Sequence, residues 1–224
     1  MKRYYPKKQI YVIIMAEEKP ENECEKLGRL QTRGELGRAI AAIVKGYSTR
    51  DLRRMQWNFS GSVKGIEPSY KKKLEKMITG HLHETWENIR LMNQQGSFSQ
   101  MKDLLPENNR EFWKMAAHKC PENDGGTRIR FLKFLLAGFC IFVKKIPPHP
   151  VGMPFPGGDS VQFIEGIYYC PVREKANDVD SALCPFCPAL QTPEFGYLKP
   201  PVKGSTHRKQ EYLKKTFDFH HYNG

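Results

Sequence analysis

The clearest order in the chain is the spacing of its apolar residues. Thr32-Arg33-Gly34-Glu35 has the Thr/Glu spacing of a capping box, and Leu36, Ile40, Ile43 and Val44 then fall on one helical face before Gly46 stops the run. Ser48-Thr49-Arg50-Asp51 opens a second helix carrying Leu52, Met55 and Phe59. The longest pattern starts at Ser69. Tyr70, Leu74, Met77, Ile78, Leu82, Trp86, Ile89 and Met92 recur at three- and four-residue steps, which is helical periodicity. Asn108 or Asn109 caps a shorter helix with Phe112, Trp113 and Met115. Asp124-Gly125-Gly126-Thr127 then leads into an apolar helix reaching Val143.

At Ile146 the pattern changes character. Residues 147–158 hold five prolines and three glycines, which excludes a helix and a central strand. Residues 161–164 and 167–170 read as a short β-hairpin across Glu165-Gly166. Asp178 or Asp180 is placed to cap a single helical turn before Cys184. A proline-rich extended run follows over 192–202, and a basic helix over 205–217. No internal repeat or heptad seam is found. The fold class predicted is mainly α: a helical body with an irregular proline-rich C-terminal lobe containing a short β-hairpin. The domain reading is a flexible arm over 1–25, the body over 26–146, a Cys/Pro-rich metal-binding lobe packed on the body over 147–203, and a basic C-terminal helix and tail over 204–224. Within the arm, 10–15 could add as an edge strand, and Met15 is a candidate start.

Composition bounds the rest. The chain has 224 residues, and 39% of them are hydrophobic, enough for a core, so wholesale disorder is excluded. The longest apolar run, 131–143, contains Lys133 and is too short for a membrane span of roughly 20 residues. The apolar stretch near the N-terminus is too short for a signal-peptide core. The expectation is a soluble cytoplasmic protein. Lys and Arg total 36 against 24 Asp and Glu, a net charge of +12. Residues 1–150 hold 28 basic and 16 acidic side chains, whereas 151–200 hold 3 and 6. A basic body suits an acidic protein partner or nucleic acid, or is simply a solvated surface.

Candidate chemistry lies in the cysteines. Cys24 sits in the acidic arm and reads as incidental; Cys140, between Phe139 and Ile141, reads as a buried thiol acting as a small hydrophobe. Four remain: Cys120, Cys170, Cys184 and Cys187. Cys184-Pro185-Phe186-Cys187 is a C-x-x-C pair, Cys170 precedes it by 14 residues, and Cys120 lies 50 before Cys170. A C-x-x-C turn brings two thiolates to one ion, and two more cysteines complete four soft anionic ligands. Two paired C-x-x-C knuckles, the zinc-ribbon signal, are missing. Proline after a ligand cysteine recurs in ferredoxin-type runs, as in Cys120-Pro121, Cys170-Pro171 and Cys187-Pro188. A 4Fe-4S cluster is the leading reading, ahead of a structural zinc with His149 or His118 replacing one cysteine. A redox dithiol at Cys184 and Cys187, or unrelated free thiols, remain as further readings.

Other motifs carry less. His81 and His83 are two apart on a helix and do not share a face. Pro156-Gly157-Gly158-Asp159 lacks the Gly-Lys-Ser/Thr of a phosphate loop. Lys71-Lys72-Lys73 reads as a solvated helix face, since aromatics do not interleave with it. Paired carboxylates, a nucleophile elbow and zincin motifs are missing, so no catalytic residue is nominated.

The runs Phe134-Leu135-Leu136-Ala137-Gly138-Phe139-Cys140, His149-Pro150-Val151-Gly152-Met153-Pro154-Phe155-Pro156-Gly157-Gly158, Tyr168-Tyr169-Cys170-Pro171-Val172 and Cys184-Pro185-Phe186-Cys187-Pro188-Ala189 together resemble an uncharacterised protein family of methanogenic archaea. The resemblance covers about residues 27–200. It implies a cytoplasmic archaeal protein that binds metal, with no activity to carry over. The functional expectation is an iron–sulfur accessory or electron-transfer protein of anaerobic metabolism, docking on a larger protein partner. A zinc-stabilised nucleic-acid-binding module is the alternative, and an enzyme using the cluster or the His149 loop ranks behind both.

Overall fold

The computed structural model describes residues 19–62, 67–121, 126–155, 159–174 and 183–193. The edge strand over 10–15, the candidate start at Met15, the helical turn at Asp178 or Asp180 and the basic helix over 205–217 lie outside these residues.

Among the described residues, six α-helices build the body: α1 (Pro20–Gly28), α2 (Arg33–Val44), α3 (Thr49–Ser62), α4 (Pro68–Gln94), α5 (Asn108–Lys119) and α6 (Thr127–Gly138). The mainly α reading holds. Residues 20–25, which the domain reading gives to the flexible arm, belong to α1. Pro20 pre-sets its first turn, Glu21 and Glu23 complement its N-terminal dipole, and Cys24 and Leu27 are the residues it buries. That two-residue stripe seats α1 against α5.

Caps set the other boundaries. At α2 both halves of the capping box form: the Glu35 amide donates to Thr32 Oγ1, and the Thr32 amide donates to Glu35 Oε2 at 2.9 Å. Before α3, the Asp51 carboxylate accepts from the Ser48 amide at 2.7 Å. The Glu67 carboxylate accepts from the Ser69 and Tyr70 amides at the start of α4. Gly34 and Gly37 let α2 come close to the segment carrying Phe98. A Cβ at Gly34 would stand 2.2 Å from the Phe98 carbonyl oxygen, and one at Gly37 would stand 2.5 Å from the Phe98 ring.

The apolar helix does not stay α-helical to Val143. After Gly138 it widens into a π-helical turn, Phe139–Lys144, whose end is closed by Lys145 in the left-handed region (φ 56°) and by the Ile146 amide donating to the Cys140 carbonyl at 2.9 Å. Arg33 ties this turn to α2, donating through Nη2 to the Val143 carbonyl at 2.7 Å.

Two apolar cores result. The larger lies among the helices, where Phe112 meets Trp113, Phe134 and Phe142 edge-on. The smaller joins Leu74 and Ile78 of α4 to Met153, Phe155, Val161, Cys170, Val172 and Ala189 of the C-terminal lobe. Helix α4 serves both, with Trp86 and Ile89 in the first core and Leu74 and Ile78 in the second.

Among the described residues, the strands of the lobe form one three-stranded sheet. Strand β1 (Gln162–Ile164) pairs antiparallel with β2 (Ile167–Cys170), joined by Glu165 (φ 50°) and Gly166 (φ 84°), the two positive values of a type I′ turn. Strand β3 (Leu190–Gln191) lies parallel to β2, setting Cys170 opposite Gln191. The parallel strand has no local signature in the sequence. Phe163, an aromatic that would favour burial, is 52% exposed and meets the Tyr168 ring at a tilt, 4.5 Å between centroids.

Candidate functional site

The strand register puts the C-x-x-C turn beside Cys170. Cys184-Pro185-Phe186 forms one 3-10 turn, with the Cys187 amide donating to the Cys184 carbonyl at 3.0 Å. Three residues later β3 begins, and its pairing with β2 holds the loop against the Cys170-Pro171-Val172 turn. Gln191 fastens the same junction, donating through Nε2 to the Pro171 carbonyl at 3.0 Å and accepting from the Glu174 amide at 2.9 Å.

Two of the lobe's three Cys-Pro-X turns aim the amide of the X residue at sulfur. The Ala189 amide donates to Cys187 Sγ at 3.5 Å, and the Val172 amide bonds Cys170 in the same way. Proline after each cysteine has no N–H of its own and fixes the turn, so the next amide is free to point back at the thiol. Burial pushes Cys170 up to about 12 and Cys187 up to about 11, and raises Cys184 as well; these amides and the Arg173 guanidinium act in the opposite direction. Arg173 is a residue the sequence reading missed. Its Nε donates to the Ala189 carbonyl at 3.1 Å and its Nη2 to the Pro185 carbonyl at 3.3 Å, so it straddles the C-x-x-C loop and sets a positive charge near three thiols.

Cys170, Cys184 and Cys187 therefore come together, but Cys120 does not join them. It is fully buried in the larger core at the end of α5, hydrogen-bonded to Cys24 of α1. The α1–α5 packing decides this: the stripe that seats α1 carries Cys24 straight onto Cys120. The hydrogen bond with Cys120, followed by burial, raises Cys24 far above its ordinary value.

The thiol nearest to the lobe from the body is Cys140, in the π turn. Its sulfur lies 3.7 Å from Thr85 Oγ1 and 3.9 Å from His81 Nε2, both on α4, and Cys187 is within electrostatic reach. Burial moves the Cys140 thiol up to about 11. His81 and Thr85 are four apart on α4, two polar groups on one face beside an apolar stripe. That spacing was the available signal.

His149 stands with His81 and Lys133. Burial takes His149 down to about 4, and the proximity of His81 and Lys133, which would repel a second positive charge, adds to the shift. His81 is also lowered by burial and hydrogen-bonds the Pro148 backbone; because proline has no N–H, the acceptor is its carbonyl. Lys133 is brought down to about 8 by burial, with Arg130 and Lys119 adding to the shift.

No disulfide forms, and all six thiols are free. Among the described residues, no group of three or more His, Cys, Asp or Glu side chains stands ready to hold a metal ion. The lobe thiols are neighbours with backbone and cationic support, rather than ligands already at coordinating separation. No helix among the described residues is long and apolar enough to cross a membrane.

Residues 32–192 match a family described as an uncharacterized protein conserved in archaea (DUF2115). The chain is 50% identical over 52 residues to a UPF0305 protein of Methanothermobacter thermautotrophicus, covering 23% of this chain and 34% of that one. It is 42% identical over 60 residues to a UPF0305 protein of Methanopyrus kandleri, covering 27% and 42%. Against a UPF0305 protein of Methanocaldococcus jannaschii the identity is 24% over 159 residues, 68% of this chain and 92% of that one. The first two matches thus span about a third and two-fifths of those relatives' own lengths. No solved structure matches the chain.

Proposed function

The chain belongs to this archaeal family, and from that premise we propose that its C-terminal lobe is a thiolate metal centre, an iron–sulfur cluster, serving an accessory or electron-transfer protein that docks on a larger protein partner. The observation that supports this most is the pair of Cys-Pro-X turns, each with an amide aimed at its sulfur, brought side by side by the β2–β3 pairing. Backbone N–H groups and a guanidinium favour the anionic form of sulfur, the form that ligates metal. An apolar packing site for thiols would need neither.

Thiolates repel one another at coordinating distance unless a cation lies between them. Burial keeps Cys170, Cys184 and Cys187 protonated, so a metal ion would displace their protons on binding, with Arg173 offsetting part of the negative charge that results. A bound cluster would supply one-electron exchange. Cys184 and Cys187 are only half-buried, and Leu190, Phe163, Ile164 and Ile167 leave an exposed apolar rim on the adjoining sheet. That combination suits a partner covering the thiol edge. The relatives come from methanogens, which fits an anaerobic setting.

The deciding experiment is iron, zinc and acid-labile sulfide analysis of the full chain purified without oxygen. Iron with sulfide and broad visible absorption is expected. Zinc without sulfide would replace the cluster by a structural ion and favour the nucleic-acid module. Protein free of both metals would end the metal reading.

A further inference from the structure

We propose that the outer face of α3 is a binding surface for single-stranded nucleic acid, with Trp57 stacking on a base and Arg50, Arg53 and Arg54 holding the phosphates beside it. The surface lies on the helical body, and it does not depend on what the thiols of the lobe hold.

The two sides of α3 are sharply different. Its inner stripe is Leu52 and Met55, both buried, with the half-buried Phe59 packed on the core of the lobe. Helical steps of about 100° per residue put Arg50, Arg54 and Trp57 on the opposite side, with Arg53 beside them. All three arginines are exposed, and Trp57, at 80%, is the most exposed large apolar side chain among the described residues. A lone exposed hydrophobe is ordinary on a protein surface. Here the indole stands one turn from Arg53 and Arg54, yet among the described residues no ring or cation covers either of its faces.

The positive charge of this face is not compensated. Helix α3 carries one carboxylate, Asp51, which accepts from the Ser48 amide and faces Arg128 Nε at 3.7 Å. Among the described residues, Arg50, Arg53 and Arg54 make no ion pair. Lys71 Nζ donates to the Ser60 carbonyl at 3.1 Å, setting the first turn of α4, with exposed Lys72 and Lys73, beside the last turn of α3. The carboxylates of that turn are occupied: Glu67 caps α4 and Glu75 pairs with Lys71 at 3.7 Å. The lysine run has no aromatic of its own within it, and α3 supplies one.

This chemistry selects one polyanion. Guanidinium forks match phosphate oxygens two at a time. Unpaired bases offer flat faces to a bare indole, and such stacking tolerates any base. A duplex keeps its bases stacked on one another, and an acidic peptide supplies carboxylates for the arginines but leaves the indole without a partner.

The test titrates the full chain into a fluorescein-labelled oligothymidylate across a salt series, reading anisotropy and tryptophan emission. The other two tryptophans, Trp86 and Trp113, are buried, so quenching reports on Trp57. Binding that weakens with salt and quenches the emission is expected. Trp57→Ala should bind at least about 5-fold more weakly with the salt slope unchanged, and Trp57→Phe, which keeps a ring, should recover most of the loss. Arg50→Gln with Arg54→Gln should lower the slope of log affinity against log salt by about 1.4. Wild-type affinity in Trp57→Ala, an unchanged slope in the arginine variant, or no binding by the wild type would overturn the proposal. So would a duplex of the same length binding as tightly, or polyglutamate displacing the strand as well as unlabelled oligothymidylate does.

Discussion

Two regions of this molecule bring cysteines together, and they differ in the groups that face the sulfurs. At the α1–α5 seam, Cys24 and Cys120 are buried against each other, and Glu21 and Glu23 add to the forces keeping Cys24 protonated. In the lobe, burial also raises Cys170, Cys184 and Cys187, but amides and Arg173 oppose it. The seam uses sulfur as apolar volume. The lobe faces sulfur with amides and a guanidinium that offset part of the burial, while the net shift stays upward. Proximity alone does not separate the two; the dipoles facing each sulfur do.

The comparison breaks most readily at the lobe. Cys170→Ser or Cys184→Ser should lose essentially all bound metal from anaerobically purified protein, with far-UV circular dichroism nearly unchanged and the lobe more open to protease. Full metal content in Cys184→Ser would erase the distinction. Next in size is Phe112→Ala, which should cost about 3–5 kcal/mol in denaturant unfolding. Because Phe112 touches both Phe142 and Phe186, metal retention should fall with it. A variant that loses stability but holds metal normally would show that the lobe does not depend on this ring.

At the seam the effects are smaller and of another kind. Cys120→Ala should cost roughly 1–2 kcal/mol for lost buried volume, with metal content unchanged. Metal loss there would return Cys120 to the site. Smallest is Thr32→Ala, about 1 kcal/mol from the broken cap, far from both cysteine regions. The same cap has a pH signature. The Thr32 and Gln31 amides hold the Glu35 carboxyl below its ordinary range, so its contribution is present above that range and is lost as pH falls through the lowered value. Glu35→Gln should therefore flatten the acid side of the stability profile in thermal melts.

What the sequence determined by itself is the part of the structure governed by neighbours along the chain. The α2 capping box, the stripe along α4 and the Glu165-Gly166 turn each depend on residues within one or two helical turns or one hairpin, and each appears where the pattern puts it. The Cys-Pro turns were legible for the same reason: proline dictates the local backbone whatever lies further away. Tertiary structure alone decided which thiols meet. Cys24 pairs with Cys120 because α1 packs on α5, and Cys140 meets Thr85 and His81 because the π turn packs on α4. The parallel β2–β3 pairing and the reach of Arg173 across the C-x-x-C loop are likewise contacts between segments distant in sequence. Such contacts are fixed by the shape of a packed core, which local periodicity does not encode.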